Sequence, residues 1–267
     1  MGYLLAFFIV IMVGIVYLLN TYGVERTSYT LDSGSANFKV VHITDLHGRI
    51  TFLNGKLSRM VNQAKPDVVV ITGDLANNLK RLPAVLTELA KISCPHVYFV
   101  PGNHEREQTV HFRKRKLTDQ QYHQIMDSLR KLYVTVLENQ HAIIDVNGSK
   151  ILIHGFDNSV YGNEAYNEEL NQIQFDYKIV LAHSPSIIHK LTQWRMEYNL
   201  LLVGHTHGGQ VRLGQRAQGA YKDFHTGVKK MDHQRYFLIN RGLGTVRLPF
   251  RLNCRPELAV IHIKQNN

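Results

Sequence analysis

The run Asp67-Val68-Val69-Val70-Ile71-Thr72 constrains the fold of this chain more than any other stretch. Its four central residues are all apolar and leave no polar face, so the strand they form belongs in a sheet covered on both sides. Related runs flank it. Phe38 to Thr44 and His96 to Val100 read as strands, while Asn54 to Ala64 and Leu79 to Ile92 carry helical spacing between them. Strand and helix alternating at this spacing make an α/β sheet. With 267 residues the chain can build one large domain with a substantial core, or at a stretch two small ones.

Short β-branched segments return later, at Val134 to Leu137, Ala142 to Val146, Lys150 to His154, Phe175 to Ala182, Leu201 to Val203, Arg235 to Asn240 and Leu258 to Ile263, with a turn signal at Asn147-Gly148. Between the two groups, Arg106 to Lys131 is polar and reads as helical. It holds the basic cluster His111-Phe112-Arg113-Lys114-Arg115-Lys116, which is either a solvated helix face or a flap that leans on acidic lipid headgroups or on phosphates of a substrate.

Polar residues follow the apolar runs directly. They are Asp45 and His47, Asp74, Asn103 and His104, His183, then His205 and His207, and in a layered α/β fold they gather at one rim. His205 and His207 leave an extended segment two residues apart and therefore point the same way. Carboxylate, imidazole and amide donors together suit Mn, Fe, Zn or Co rather than copper or an iron–sulfur cluster. A bridging carboxylate can hold two cations about 3.5 to 4 Å apart, a geometry that stabilises both the attacking and the leaving oxygen of phosphoryl transfer. The chemistry implied is hydrolysis of a phosphate ester.

Asp45-x-His47, Gly73-Asp74, Gly102-Asn103-His104-Glu105, a lone His183 and Gly204-His205-x-His207, in that order, resemble the calcineurin-like metallophosphoesterase superfamily. The tail, with His207-Gly208-Gly209-Gln210, Asn240-Arg241-Gly242-Leu243-Gly244, Pro249-x-Arg251 and Arg255-Pro256-Glu257-Leu258, resembles the membrane-associated bacterial YkuE/YaeI group, which also takes in UDP-2,3-diacylglucosamine pyrophosphatases. The resemblance implies an α/β fold, a four-layer β-sandwich flanked by helices, over residues 38–267. It implies two divalent metal ions, with Mn placed first. Asp45, His47 and His207 would hold one ion, Asp74 would bridge, and Asn103, His183 and His205 would hold the other. His104 would be the catalytic residue, approaching the phosphate and assisting the leaving oxygen without binding metal. Asp157 and Arg241 either touch substrate or shape loops, and the remaining histidines outside the pattern, such as His42, His96 and His154, read as structural or surface residues.

At the start, Tyr3 to Leu19 is apolar or aromatic apart from Gly14, with no charge before Glu25. The length sits at the lower limit for crossing a bilayer, and Tyr17 and Tyr22 suit its interface. A cleaved signal peptide fits less well, because no Lys or Arg precedes the run and no small-x-small site follows it. The expectation is one N-terminal transmembrane helix within residues 1–24, then 25–37 as a linker or a first edge strand. Arg26 and Lys39 favour a cytoplasmic domain on a single-pass protein of the cell membrane.

Lys and Arg outnumber Asp and Glu by 31 to 21, giving a formal net charge of +10 that favours anionic partners. The leading expectation is a membrane-anchored phosphoesterase acting on a phosphorylated or nucleotide-linked lipid. The alternative is a phosphodiesterase or nuclease acting on soluble nucleotides or nucleic acid, and a third is a scaffold without catalysis. Nucleic acid ranks lower because no aromatic residues interleave with the basic ones. Cys94 and Cys254 stand far apart and form no thiolate metal pattern.

Overall fold

The computed structural model describes residues 2–110, 113–157, 160–212 and 223–265. In chain order the elements begin with α1 (Gly2–Tyr22), β1 (Glu25–Asp32), β2 (Phe38–Ile43), the short strands β3 (Thr51–Phe52) and β4 (Gly55–Lys56), α2 (Leu57–Ala64), β5 (Val68–Ile71), α3 (Leu82–Leu89) and β6 (His96–Phe99). They continue with β7 (Glu107–Val110), β8 (Arg113–Lys116), α4 (Asp119–Arg130), β9 (Thr135–Val136), β10 (Gln140–Val146) and β11 (Ser149–Gly155). The last are β12 (Tyr177–Leu181), α5 (Ile187–Gln193), β13 (Leu200–Val203), β14 (Gly227–Lys230), β15 (Tyr236–Ile239) and β16 (Glu257–Lys264).

Two six-stranded sheets form, in the orders β1-β16-β2-β5-β6-β9 and β10-β11-β12-β13-β15-β14. β2, β5 and β6 run parallel, as do β11, β12, β13 and β15. The period of two along β5 explains its unbroken apolar run. Val68 and Val70 face the second sheet and pack with Val40, Ile151, Ile179 and Leu202. Val69 and Ile71 face outward beneath α2, α3 and α4, among Met60, Val85 and Met126. The outer face of the second sheet, with Val180, Leu201 and Val203, is covered by Ile187 and Leu191 of α5. Helices, sheet, sheet and helix are therefore four layers, and both sheets are apolar on both faces.

One expectation is corrected and one open reading is resolved. Residues 107–110 and 113–116 are not helical: β7 and β8 pair antiparallel, with Glu107 opposite Lys116 and Val110 opposite Arg113. The helix starts only at Asp119, where Thr118 and Gln121 form a reciprocal capping box, Gln121 N–H donating to Thr118 Oγ1 at 3.2 Å and Thr118 N–H to Gln121 Oε1 at 3.0 Å. His111 and Phe112, part of the basic cluster, lie outside the described residues. Of the two readings open for residues 25–37, the edge strand is the one formed over Glu25–Asp32, which runs parallel to β16 from Glu25 opposite Glu257 to Asp32 opposite Lys264. Its polar residues alternate between solvent and sheet, as an edge strand allows.

Candidate metal centre

The eight residues singled out from the sequence all lie where strands β2, β5, β6, β12 and β13 end. All are buried except His205, which is half-buried. Five of them, Asp45, His47, Asp74, His205 and His207, have φ between 47° and 67°, the left-handed region that costs a non-glycine residue about 1 kcal/mol or more. The surrounding loops hold them there: Asp45 N–H donates to Gly73 O at 3.1 Å, His47 N–H to Asp74 O at 3.0 Å, and Gly204 N–H to His183 O at 3.0 Å. Gly204 admits no side chain, because a Cβ there would overlap Thr44 Oγ1 and Asp45 Oδ2.

The donor atoms converge on one another. His47 Nε2 lies 2.9 Å from His207 Nε2, and His207 Nε2 lies 3.3 Å from Asp45 Oδ1. Asp74 Oδ2 lies between two histidines, 3.6 Å from His47 Nε2 and 3.4 Å from His183 Nε2. Beyond it, His183 Nε2 is 3.2 Å from Asn103 Oδ1 and 2.9 Å from His205 Nδ1. Ligands about 2.0–2.2 Å from a shared cation stand about this far apart. Asp45 Oδ1 is buried and receives no hydrogen bond from the protein, so its lone pairs are open to a cation. The donor set thus fits two divalent ions that share Asp74. Ligand atoms of His47, Asp74 and His104 also lie within 4.8 Å of one another, so distance alone does not separate His104 from the ligands.

The electrostatics of both carboxylates and of His205 and His207 suit the same ions. Burial opposes ionisation of Asp45, but His207 and His47 hold its carboxyl well below the usual carboxylate range. Asp74 is likewise held low against burial, chiefly by His183 and His104. Burial pushes His207 down to about 4, and burial together with His183 pushes His205 down to about 3, so both imidazoles keep free lone pairs at neutral pH. His183 moves the other way: burial is outweighed by Asp74, and it rises to about 10.

Several residues that hold this arrangement carry no separate signal in the sequence. Glu105 is buried, and its carboxylate accepts backbone N–H bonds from Asp74 (2.9 Å), Leu75 (2.9 Å) and Gly102 (2.7 Å), tying the β5 and β6 loops together. Asn77 Oδ1 stands 2.6 Å from His47 Nδ1, and Glu107 Oε1 accepts from Asn103 Nδ2 at 2.8 Å. Arg251 is fully buried; Nη1 donates to His207 O at 3.2 Å, and Nη2 lies 3.3 Å from His207 Nδ1. Only a pattern such as Pro249-x-Arg251 hinted at it. The two marginal candidates form ion pairs: Asp157 with Arg106 at 2.7 Å, and Arg241 with Glu257 at 3.1 Å and Glu25 at 2.9 Å. Glu105→Ala is expected to lower stability by about 3 kcal/mol, since three buried N–H groups would lose their acceptor, and denaturant unfolding checks this.

Residues 38–209 match the model of the calcineurin-like phosphoesterase family. The chain is 30% identical over 266 residues to the metallophosphoesterase YkuE of Bacillus subtilis, covering 93% of this chain and 88% of the relative. It is 26% identical over 252 residues to the phosphodiesterase YaeI of Escherichia coli, covering 90% and 86%. The NAD nucleotidase NadN of Haemophilus influenzae shares the fold at a TM-score of 0.54 and 16% identity, over 79% of this chain and 46% of that one, so the chain spans about half of that structure's length.

Proposed function

Because the chain belongs to the calcineurin-like phosphoesterase family and is a hydrolase of that family, we propose that it hydrolyses a phosphate ester or pyrophosphate bond at two divalent cations held by the rim residues. Asp45, His47 and His207 would hold one cation, Asn103, His183 and His205 the other, and Asp74 would serve both. The observation that carries the reading is the placement of Asp74 Oδ2 within 3.6 Å of His47 Nε2 and 3.4 Å of His183 Nε2, one carboxylate oxygen facing both groups of donors. When bound, the two cations supply positive charge that stabilises the attacking and leaving oxygens and makes water nucleophilic near neutral pH.

The chain's own residues do the rest. His104 is placed by its backbone N–H, which donates to Asp74 Oδ1 at 2.8 Å, and its ring stands edge-on to His47 with centroids 4.8 Å apart. Its Nδ1 is buried and makes no hydrogen bond to the protein, and we assign the ring, beside the donors, to assist the leaving oxygen. Burial lowers the affinity of this ring for a proton, and an arriving phosphate restores it by its negative charge.

α1 is 21 residues long and apolar, and its apolar side chains stand exposed among the described residues. About 30 Å of apolar helix matches the hydrocarbon core of a bilayer. We read it as a single-pass anchor in the cell membrane, with the domain on the cytoplasmic side of Arg26 and Lys39. The anchor favours a phosphorylated or nucleotide-linked lipid as substrate. The net charge of +10 favours soluble nucleotides as the second reading.

Hydrolysis of bis-p-nitrophenyl phosphate and p-nitrophenyl phosphate by the full chain tests the chemistry. Chelation is expected to remove turnover and Mn to restore it. Turnover that persists after complete removal of metal, or a chain that binds no divalent ion, sinks the assignment of the site.

A further inference from the structure

The apolar helix and the metal centre meet at the same end of the molecule. Thr21, in the last turn of α1, is fully buried. Arg49 Nη1 donates to Thr21 O at 2.5 Å, Arg251 N–H to Thr21 Oγ1 at 3.2 Å and Asn253 N–H to Asn20 Oδ1 at 3.0 Å. Leu53 N–H donates to Tyr22 O at 3.0 Å, and the Arg49 guanidinium lies 4.5 Å over the Tyr22 ring. The backbone continues without slack: Val24 N–H donates to Asn54 Oδ1 at 2.7 Å, and Glu25 N–H donates to Pro256 O at 2.8 Å as β1 begins. The helix therefore leaves the domain in a set direction.

The residues that receive the helix also serve the site. Arg49 follows His47 by two residues, and Arg251 links Thr21 to the carbonyl and ring of His207. The same loops expose Leu53 and Leu248, 56% and 48% accessible, together with Lys56 and Arg247. The exposed cations of β8, Arg113 to Lys116, stand on a hairpin whose Glu107 holds Asn103. Apolar side chains ringed by Lys and Arg are what an anionic bilayer surface accepts. The opposite rim, where the parallel strands begin, carries the polar turn Asn147-Gly148 and exposed Lys150.

We propose that the catalytic rim lies against the bilayer, with Leu53 and Leu248 set into its headgroup layer, so that the site takes phosphoesters carried on lipid headgroups. The inference rests on reading α1 as a membrane anchor. A helix that crosses the hydrocarbon core and emerges at Tyr22 puts the loops bonded to Tyr22 at the interface, where tyrosine rings favour the headgroup level. Because the domain is hydrogen-bonded to the helix end, it cannot turn this rim away from the surface while those bonds last. A substrate whose acyl part stays in the bilayer then presents its phosphorus at the level of the site.

Depth-dependent fluorescence quenching tests the orientation. The full chain, carrying Trp194→Phe and one of Leu53→Trp, Leu248→Trp or Lys150→Trp, is reconstituted in phosphatidylcholine–phosphatidylglycerol vesicles with brominated acyl chains. Tryptophan at 53 and 248 is expected to be quenched strongly and at 150 weakly. Equal weak quenching at all three positions in a chain that floats with the vesicles overturns the orientation, whereas a chain that does not float removes the anchor and the proposal with it.

An activity measurement separates the substrate class. With both leucines replaced by Asp, hydrolysis of hexadecyl p-nitrophenyl phosphate in vesicles should fall about tenfold, while soluble ethyl p-nitrophenyl phosphate changes by less than about twofold. Equal loss on both esters overturns the surface role. Absence of turnover on both by the unmodified, Mn-loaded chain would instead defeat the phosphoesterase reading on which the substrate class depends.

Discussion

Asp74→Asn is expected to reduce Mn-dependent phosphoesterase turnover by more than about 10³-fold, beyond the 10- to 100-fold typical of a residue that merely orients a metal ligand. The substitution is nearly isosteric. Its carbonyl oxygen can still accept the His104 N–H that Asp74 Oδ1 now accepts at 2.8 Å, so the loop keeps its shape. What disappears is the negative charge facing His47 and His183. Without it, the two groups of donors share no anionic ligand, and two cations a few ångströms apart repel each other unscreened. The bound metal should fall from two ions to one or none per chain, measured by elemental analysis after gel filtration alongside turnover. A variant that retains two ions and wild-type turnover would remove Asp74 from the centre.

The second large effect belongs to His104→Ala. kcat should drop by about 10²- to 10⁴-fold, the usual contribution of one positioned acid–base group, while both metal ions remain bound. The pairing of these readouts matters because His104 also lies within 4.8 Å of His47 and Asp74 as a conceivable ligand. Loss of a metal ion in His104→Ala would make it a ligand; unchanged kcat would deprive it of any role. A substrate with a better leaving group should be less affected, since p-nitrophenolate needs little proton assistance and an alkoxide needs much.

The elements that position the candidate metal centre were readable because a strand buried on both faces leaves an unbroken apolar run, and polar residues directly follow such runs. Asp67 to Thr72 resolves into β5, with Val68 and Val70 turned to one layer and Val69 and Ile71 to the other. The pairing of β7 with β8 was not readable. The cations of β8 suit a helix as well as a strand, and only pairing with Glu107–Val110 and the tie from Glu107 to Asn103 decide for the strand. Local propensity is weak where a tertiary partner supplies the hydrogen bonds.

Position along the chain determined which donors stand at one rim, because the ends of parallel strands lie together whatever the details of packing. The apolar opening stretch likewise determined a helix long enough for a bilayer. Only the tertiary structure decided which groups hold those donors still. Glu105 and Arg251 stand inside motifs of the sequence, but their contacts arise only when folding buries one under three backbone N–H groups and the other against His207. The joining of Thr21 to Arg49 and Arg251 was decided there as well. Such bonds link residues 28 and 230 positions apart, and no periodicity or local motif can encode a contact whose partners meet only when two separate loops have been brought to the same edge.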